Sequence, residues 1–240
     1  HLEQKTKRHL ENLLGKQYKG GPSEGTGHET ETILLQLLFK RKGLSMAYVT
    51  KKLGDLCMVM TGAPMSRAKK ITPGETGTEV KVLIPRAMEN GRIVDREIVS
   101  ETVSKVKGDL FTKAGDVIVK ASTPYDCVYV DAAHEGILVT SFGLILRKGE
   151  EGAVDMRYLA MYLNQPQTRR KLQGMAVGET LQLIRKAAIE GFDVPVVSQA
   201  SQDRLAALYE NVLVRKEQCL KMIAAGEDLI EAEFSRTVFD

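Results

Sequence analysis

The stretch Gly115-Asp116-Val117-Ile118-Val119-Lys120, with Gly143-Leu144-Ile145-Leu146-Arg147 downstream of it, decides the fold class. Both are short aliphatic runs opened by glycine, too short for a helix, and both read as strands. Val80-Lys81-Val82-Leu83-Ile84-Pro85, Cys127-Val128-Tyr129-Val130 and Gly136-Ile137-Leu138-Val139-Thr140 repeat the pattern around them. No regular long helices separate these strands, which disfavours a doubly wound nucleotide-binding fold. The reading is α+β: a mixed, partly curled β-sheet domain over residues 46–199.

Two helical patterns follow the strands. Asp155 is placed to cap a helix carrying Tyr158, Leu159, Met161, Tyr162 and Leu163, and Pro166 interrupts it. The second pattern lies in the last segment, residues 200–240, and runs from Ser201, read as its N-cap, to about Phe234. Leu205, Leu208, Val212, Cys219, Met222 and Leu229 occupy a and d positions of one heptad frame, the expected dimerisation seam. Tyr209, Leu213, Leu220, Ile223 and Ile230 form a neighbouring stripe. Such a rod is roughly 50 Å long and suits a coiled coil; a helix lying across its own domain is the competing arrangement.

The first 45 residues read as an N-terminal extension or linker. A short polar helix over 3–14 precedes a glycine-rich stretch from Gly15 to Gly27. An apolar helix with Ile33, Leu34, Leu37 and Leu38 then ends in Phe39-Lys40-Arg41-Lys42-Gly43.

Composition narrows the function. The 240 residues are 43% hydrophobic and 27% charged, which is globular composition. Cys57, Cys127 and Cys219 lie far apart, so neither a zinc framework nor a disulfide scaffold is expected, and a reducing, cytoplasmic setting follows. No apolar run reaches the roughly 18 residues that span a bilayer. His1, His9, His28 and His134 lack metal-ligand spacing. The formal net charge of +3 leaves room for a local basic patch and no more.

No catalytic constellation emerges. No GxxxxGK[ST] loop or GxGxxG turn is present, nor a GxSxG elbow or an Asn/Asp-Pro-Pro-Tyr methyltransferase motif. Cys127 sits inside an apolar strand and reads as a buried thiol, so a Cys127–His134 pair is the weak enzymatic rival. Asp109, Asp116, Asp126 and Asp131 read as turn and strand-end residues. The expectation is a non-enzyme without metal or cofactor. Three loops carry binding chemistry instead: Arg67, Lys69 and Lys70; Lys120, Ser122, Thr123 and Tyr125; and Thr180, Gln182, Arg185 and Lys186. Their cations suit phosphates, and their Gln, Ser, Thr and Arg groups suit base edges.

The order of motifs carries a resemblance. Lys52-Leu53-Gly54-Asp55-Leu56-Cys57 before Thr61-Gly62 is similar to the opening of a target-recognition domain. Ala114 to Val119 resembles the GDhhh strand (h, hydrophobic) in the middle of such domains, and Leu138 to Arg147 the strand pair after it. Tyr158 to Asn164 resembles their YLhYhLNS helix, and Gly178 to Ile184 with Phe192-Asp193-Val194-Pro195-Val196 their closing segment. Gln202 opens the last helix as a glutamine opens the family's spacer. The family is the DNA-specificity subunit of type I restriction-modification systems, resembled over about residues 50–234. Val197-Ser198 stands where that family usually has Pro-Pro.

A whole subunit of that family has two recognition domains and two spacer helices, whereas this chain has room for one of each. The resemblance therefore implies a half-subunit or stand-alone relative. It implies a non-catalytic protein reading half of a split double-stranded DNA target from the major groove. Its partners would be a DNA methyltransferase subunit, a restriction subunit beyond it, and a second copy of the chain bound through the 201–234 helix, giving a palindromic site. The alternative is a protein-interaction module docking through its long helix without reading DNA.

Overall fold

The structure, a computed structural model, describes residues 48–71, 76–104, 106–149, 154–179 and 181–239. The expected extension over residues 1–45 lies outside the described residues. In chain order the strands are β1 (Val49–Lys52), β2 (Cys57–Thr61), β3 (Thr78–Leu83), β4 (Met88–Glu89), β5 (Arg92–Ile93) and β6 (Val99–Val103). They continue with β7 (Val117–Lys120), β8 (Cys127–Tyr129), β9 (Leu138–Val139), β10 (Gly143–Lys148) and β11 (Asp193–Val196). The helices are α1 (Leu53–Leu56), α2 (Met65–Ala68), α3 (Met156–Leu163), α4 (Pro166–Met175), α5 (Lys186–Glu190) and α6 (Gln199–Phe239).

The central sheet is antiparallel in the order β2-β10-β7-β8, with Leu144 opposite Val119, Ile145 opposite Ile118 and Leu146 opposite Val117. Alternation sorts these side chains into two cores. Val59, Val117, Val119, Cys127, Leu144 and Leu146 meet Leu159 and Leu163 of α3 on one face. Ile118, Val128 and Ile145 meet Leu83, Met88 and Val139 on the other. A sheet buried on both faces explains why its strands read as unbroken apolar runs.

The fold is α+β as expected, but the strands form several small open sheets. β9 pairs in parallel with β3, which pairs antiparallel with β6, whereas β10 belongs to the central sheet. A reverse turn, Gly143 N–H donating to the Thr140 carbonyl at 2.8 Å, carries the chain from one sheet to the other. The expected strand pair 138–147 is thus divided between two layers. β4 and β5 form a hairpin through Asn90-Gly91, both at positive φ, which suits the residues favoured in that turn.

Polar contacts tie the segments together. Arg147 donates two hydrogen bonds to the buried Asp116, from Nε at 2.9 Å and from an Nη at 2.7 Å. The Asp116 hydrogen bond raises the guanidinium above its ordinary pKa. β1 pairs with β11, with Lys52 opposite Asp193, and Leu53 N–H donates to the Phe192 carbonyl at 2.9 Å. Tyr158 Oη donates to the Pro195 carbonyl at 2.7 Å. Gln202, buried, accepts from Asp155 N–H at 2.7 Å and donates to the Val197 carbonyl at 2.9 Å, locking the start of α6 to the start of α3.

Asn164 makes the tightest of these links. Its Oδ1 accepts from Cys127 N–H at 3.0 Å and its Nδ2 donates to the Cys127 carbonyl at 2.6 Å, completing an edge of β8 as a neighbouring strand would. Arg169 of α4 binds both Asn164 Oδ1, at 2.6 Å, and the buried Asp126.

α6 starts at Gln199, two residues before the expected cap, so Ser201 lies within its first turn and accepts from the Ser198 hydroxyl at 3.0 Å. Its 41 residues make a rod of about 60 Å. Leu205, Ala206 and Tyr209 pack into the core beside α3. The β4–β5 hairpin then braces the helix: Arg92 pairs with Glu217 at 3.3 Å and Lys216 donates to Asn90 at 2.7 Å. Leu208, Val212, Cys219, Met222 and Leu229 of the expected seam are exposed, as are Leu220, Ile223 and Ile230. Leu205, Tyr209 and Leu213 are instead half-buried. The seam assignment of Leu205 is therefore corrected: its side chain contributes to the intramolecular core.

Asn164→Ala leaves Cys127 N–H and C=O without this partner in a buried setting. The variant is expected to lose about 2–4 kcal/mol of unfolding free energy in urea titrations. A loss below about 0.5 kcal/mol would show that the contact does not hold the helices to the sheet.

Candidate nucleic-acid interface

One end of the central sheet gathers the loops singled out in the sequence. Thr61 ends β2, Lys120 ends β7 and Gly143 begins β10, and Gly143 lies opposite Lys120 in the register. The loops after these strands are joined by backbone hydrogen bonds. Gly62 N–H donates to the Gly143 carbonyl at 3.0 Å, and Ser141 N–H to the Ala63 carbonyl at 2.8 Å. Ala121 N–H donates to the Phe142 carbonyl at 2.7 Å, and Ile184 N–H to the Ala121 carbonyl at 2.9 Å. The third loop closes on itself through the Val177–Leu183 bridge. Backbone bonds therefore link Gly62 and Ala63 to the turn at Thr140–Gly143, that turn to Ala121, and Ala121 to Ile184 of the third loop.

Close packing holds this junction rigid. A Cβ on Gly62 would stand 2.2 Å from the Thr140 carbonyl oxygen and 2.5 Å from that of Val139, so only glycine lets the two loops approach.

The named side chains divide by environment. Arg67, Lys69, Lys70, Thr123, Gln182, Arg185 and Lys186 are exposed, and Lys120 and Ser122 are half-buried. Lys69 pairs with Glu101 at 2.6 Å, and Lys186 pairs with Glu190 one helical turn on at 3.5 Å. Thr180 lies outside the described residues. Tyr125 is 2% exposed and packs in the core with Cys127 and Leu144, so its inclusion among the surface groups is corrected. Its place between a polar loop and a strand gave no signal that the ring turns inward.

The turn at the junction was missed. Ser141-Phe142 forms its tip, and Phe142 is 38% exposed. Phe142 lines a recess of about 430 Å³ with Pro64, Ser66, Lys69, Ile84, Pro85 and Glu101. A single aromatic before a strand-opening glycine is the signal that could have found it.

The Cys127–His134 pair is not assembled. The Cys127 thiol is fully buried, which pushes its pKa up, and it donates to the Tyr125 carbonyl at 3.6 Å. His134 instead lies between Asp131, 2.6 Å from Nδ1, and Asp95, 3.1 Å from Nε2. Cys57 is pushed up to about 12 by burial. Asp116, Asp126 and Asp131 each serve a structural partner: Arg147, Arg169 and the N–H groups of Ala133 and His134. Among the described residues no cluster of three or more His, Cys, Asp or Glu could hold a metal ion, and no helix is long and apolar enough to cross a membrane.

No protein-family model and no curated protein matches the sequence. Solved structures do resemble the fold. An HsdS subunit from Thermoanaerobacter tengcongensis superposes with a TM-score of 0.52 and 14% identity, over 80% of this chain and 49% of that one. A chain from a structure described by complex assembly and conformational transition of the type I R-M system gives a TM-score of 0.52 and 14% identity, over 98% and 54%. This chain thus spans about half the length of each. Its fold is similar to that of the HsdS specificity subunits of type I restriction-modification systems.

Proposed function

We propose that the chain is a non-catalytic reader of double-stranded DNA that recognises one half of a split target and directs a partner DNA methyltransferase, with a restriction subunit joining that complex. The convergence of the three loops at one end of the central sheet carries the proposal. Rigid strands hold the loop backbones while Arg67, Lys70, Gln182 and Arg185 stay exposed, which suits phosphate and base-edge contacts. The likeness to HsdS subunits supports the same reading, and the half-length match suits one recognition unit per chain.

The long helix supports pairing of two copies. Its Leu220, Met222, Ile223, Leu229 and Ile230 are exposed, Met222 by 74%. Two helices meeting along these residues would cover them and set two recognition domains a fixed distance apart, so that a two-fold dimer reads a palindromic split site. A docking module that does not read DNA would use the same helix face but gives the exposed cations of the linked loops no role.

Arg67→Ala/Lys70→Ala is expected to weaken binding to all duplexes alike and to reduce the salt slope by about 2. Gln182→Ala/Arg185→Ala should cost about 1–3 kcal/mol per lost base contact on a selected site and little on random duplex. Gel shifts across a salt series measure both. Unchanged specific binding in the Gln182/Arg185 variant would count against this surface. For the helix, Leu208→Glu/Met222→Glu should convert a dimer to a monomer in sedimentation velocity, and a monomeric parent at tens of micromolar would end the pairing proposal.

A further inference from the structure

We propose that Phe142 reads thymine, its ring packing on the C5-methyl group in the major groove. This rests on the DNA-reading proposal and names the group within that surface that distinguishes one base pair from another.

The position of Phe142 motivates the proposal. The residue sits at the tip of the Thr140–Gly143 turn, at the junction of the three loops, and its own carbonyl accepts from Ala121 N–H at 2.7 Å. The backbone beneath it is fixed on both sides. Gly143 N–H closes the turn onto Thr140, and Gly62 packs against the Thr140 carbonyl too closely for any side chain to intervene. A side chain on such a support is presented in a set direction, and phenylalanine has only two side-chain torsions to immobilise on binding.

Its chemistry is out of keeping with its neighbours. Arg67, Lys69, Lys120 and Arg185 supply cations on the joined loops, and Ser66, Ser122, Ser141 and Thr123 supply hydroxyls. Phe142, a residue 38% exposed, places an aromatic side chain beside them, with Glu101 paired to Lys69 in the same recess. Val177 and Leu181 of the third loop are exposed as well.

Duplex DNA offers phosphates and hydrogen-bonding base edges to the cations and hydroxyls. The apolar group it displays in the major groove is the thymine methyl. An exposed apolar residue on a fixed turn, beside loops that carry cations, is complementary to that group.

The test is a double-mutant cycle on the full-length chain. A duplex site is first selected from random DNA, and each thymine in a half-site is replaced in turn by deoxyuridine, which removes only the methyl. At one position the unmodified protein should bind about fourfold more weakly, the change expected for one buried methyl group. Phe142→Ala should bind the thymine site roughly tenfold more weakly and show no further loss with uracil. Phe142→Leu should retain part of the methyl sensitivity. Thermal unfolding of each variant separates a folding defect from a lost contact. Indifference of the unmodified protein to every uracil, a selected half-site without thymine, or equal uracil sensitivity in Phe142→Ala would overturn the inference while leaving DNA reading intact. Failure to select any duplex would instead overturn the DNA-reading proposal itself.

Discussion

The two hydrogen bonds between the Asn164 side chain and the backbone of Cys127 are the contact on which the domain depends. β8 is an edge strand of the central sheet, and a buried edge must find partners for its N–H and C=O groups. A carboxamide supplies one acceptor and one donor side by side, so Asn164 replaces a strand at this rung. Because Asn164 is also the C-cap of α3, the same bonds dock that helix onto the sheet. Arg169 extends the link to α4 through Asn164 and Asp126. Cys127 follows the 121–126 loop directly, and Ala121 of that loop accepts from Ile184. Helical layer, sheet edge and candidate interface therefore share one polar hinge point.

The motifs that resembled a recognition domain acquire physical roles in this architecture. Asp116 of the glycine-aspartate strand grips Arg147 at the end of the later strand. The opening Lys52-Leu53 pairs with the closing Phe192-Asp193. Gln202 bonds to Asp155, the cap of α3. Each pair is distant in sequence and adjacent in space. The resemblance was legible because these segments appear in order, but the sequence pattern contains nothing about which segment meets which.

Other features were legible only in part. Alternating strands buried on both faces left apolar runs that were easy to find, yet the division of 138–147 between two sheets follows from a turn whose sequence, Thr-Ser-Phe-Gly, is not a strong turn signal. The Asn90-Gly91 hairpin carries such a signal in its dipeptide, but its strands are two residues each, too short to show a pattern. Tyr125 and Leu205 turn toward the core for one reason: period and composition identify a side chain able to face a partner, while packing decides which partner that is. In α6 both uses occur along one helix. Its first turns bury Ala206 and half-bury Leu205 and Tyr209 against the domain, and its later turns carry exposed apolar residues.

The central claim is that the joined loops at one end of the sheet form a DNA-binding surface. Hydrogen–deuterium exchange of the full chain, with and without a selected duplex, tests it most directly. Residues 61–67, 120–126, 140–143 and 178–186 should gain protection together, while the β4–β5 hairpin exchanges as before. Protection confined to the hairpin or to the far half of α6, with those four segments unchanged, would contradict the account.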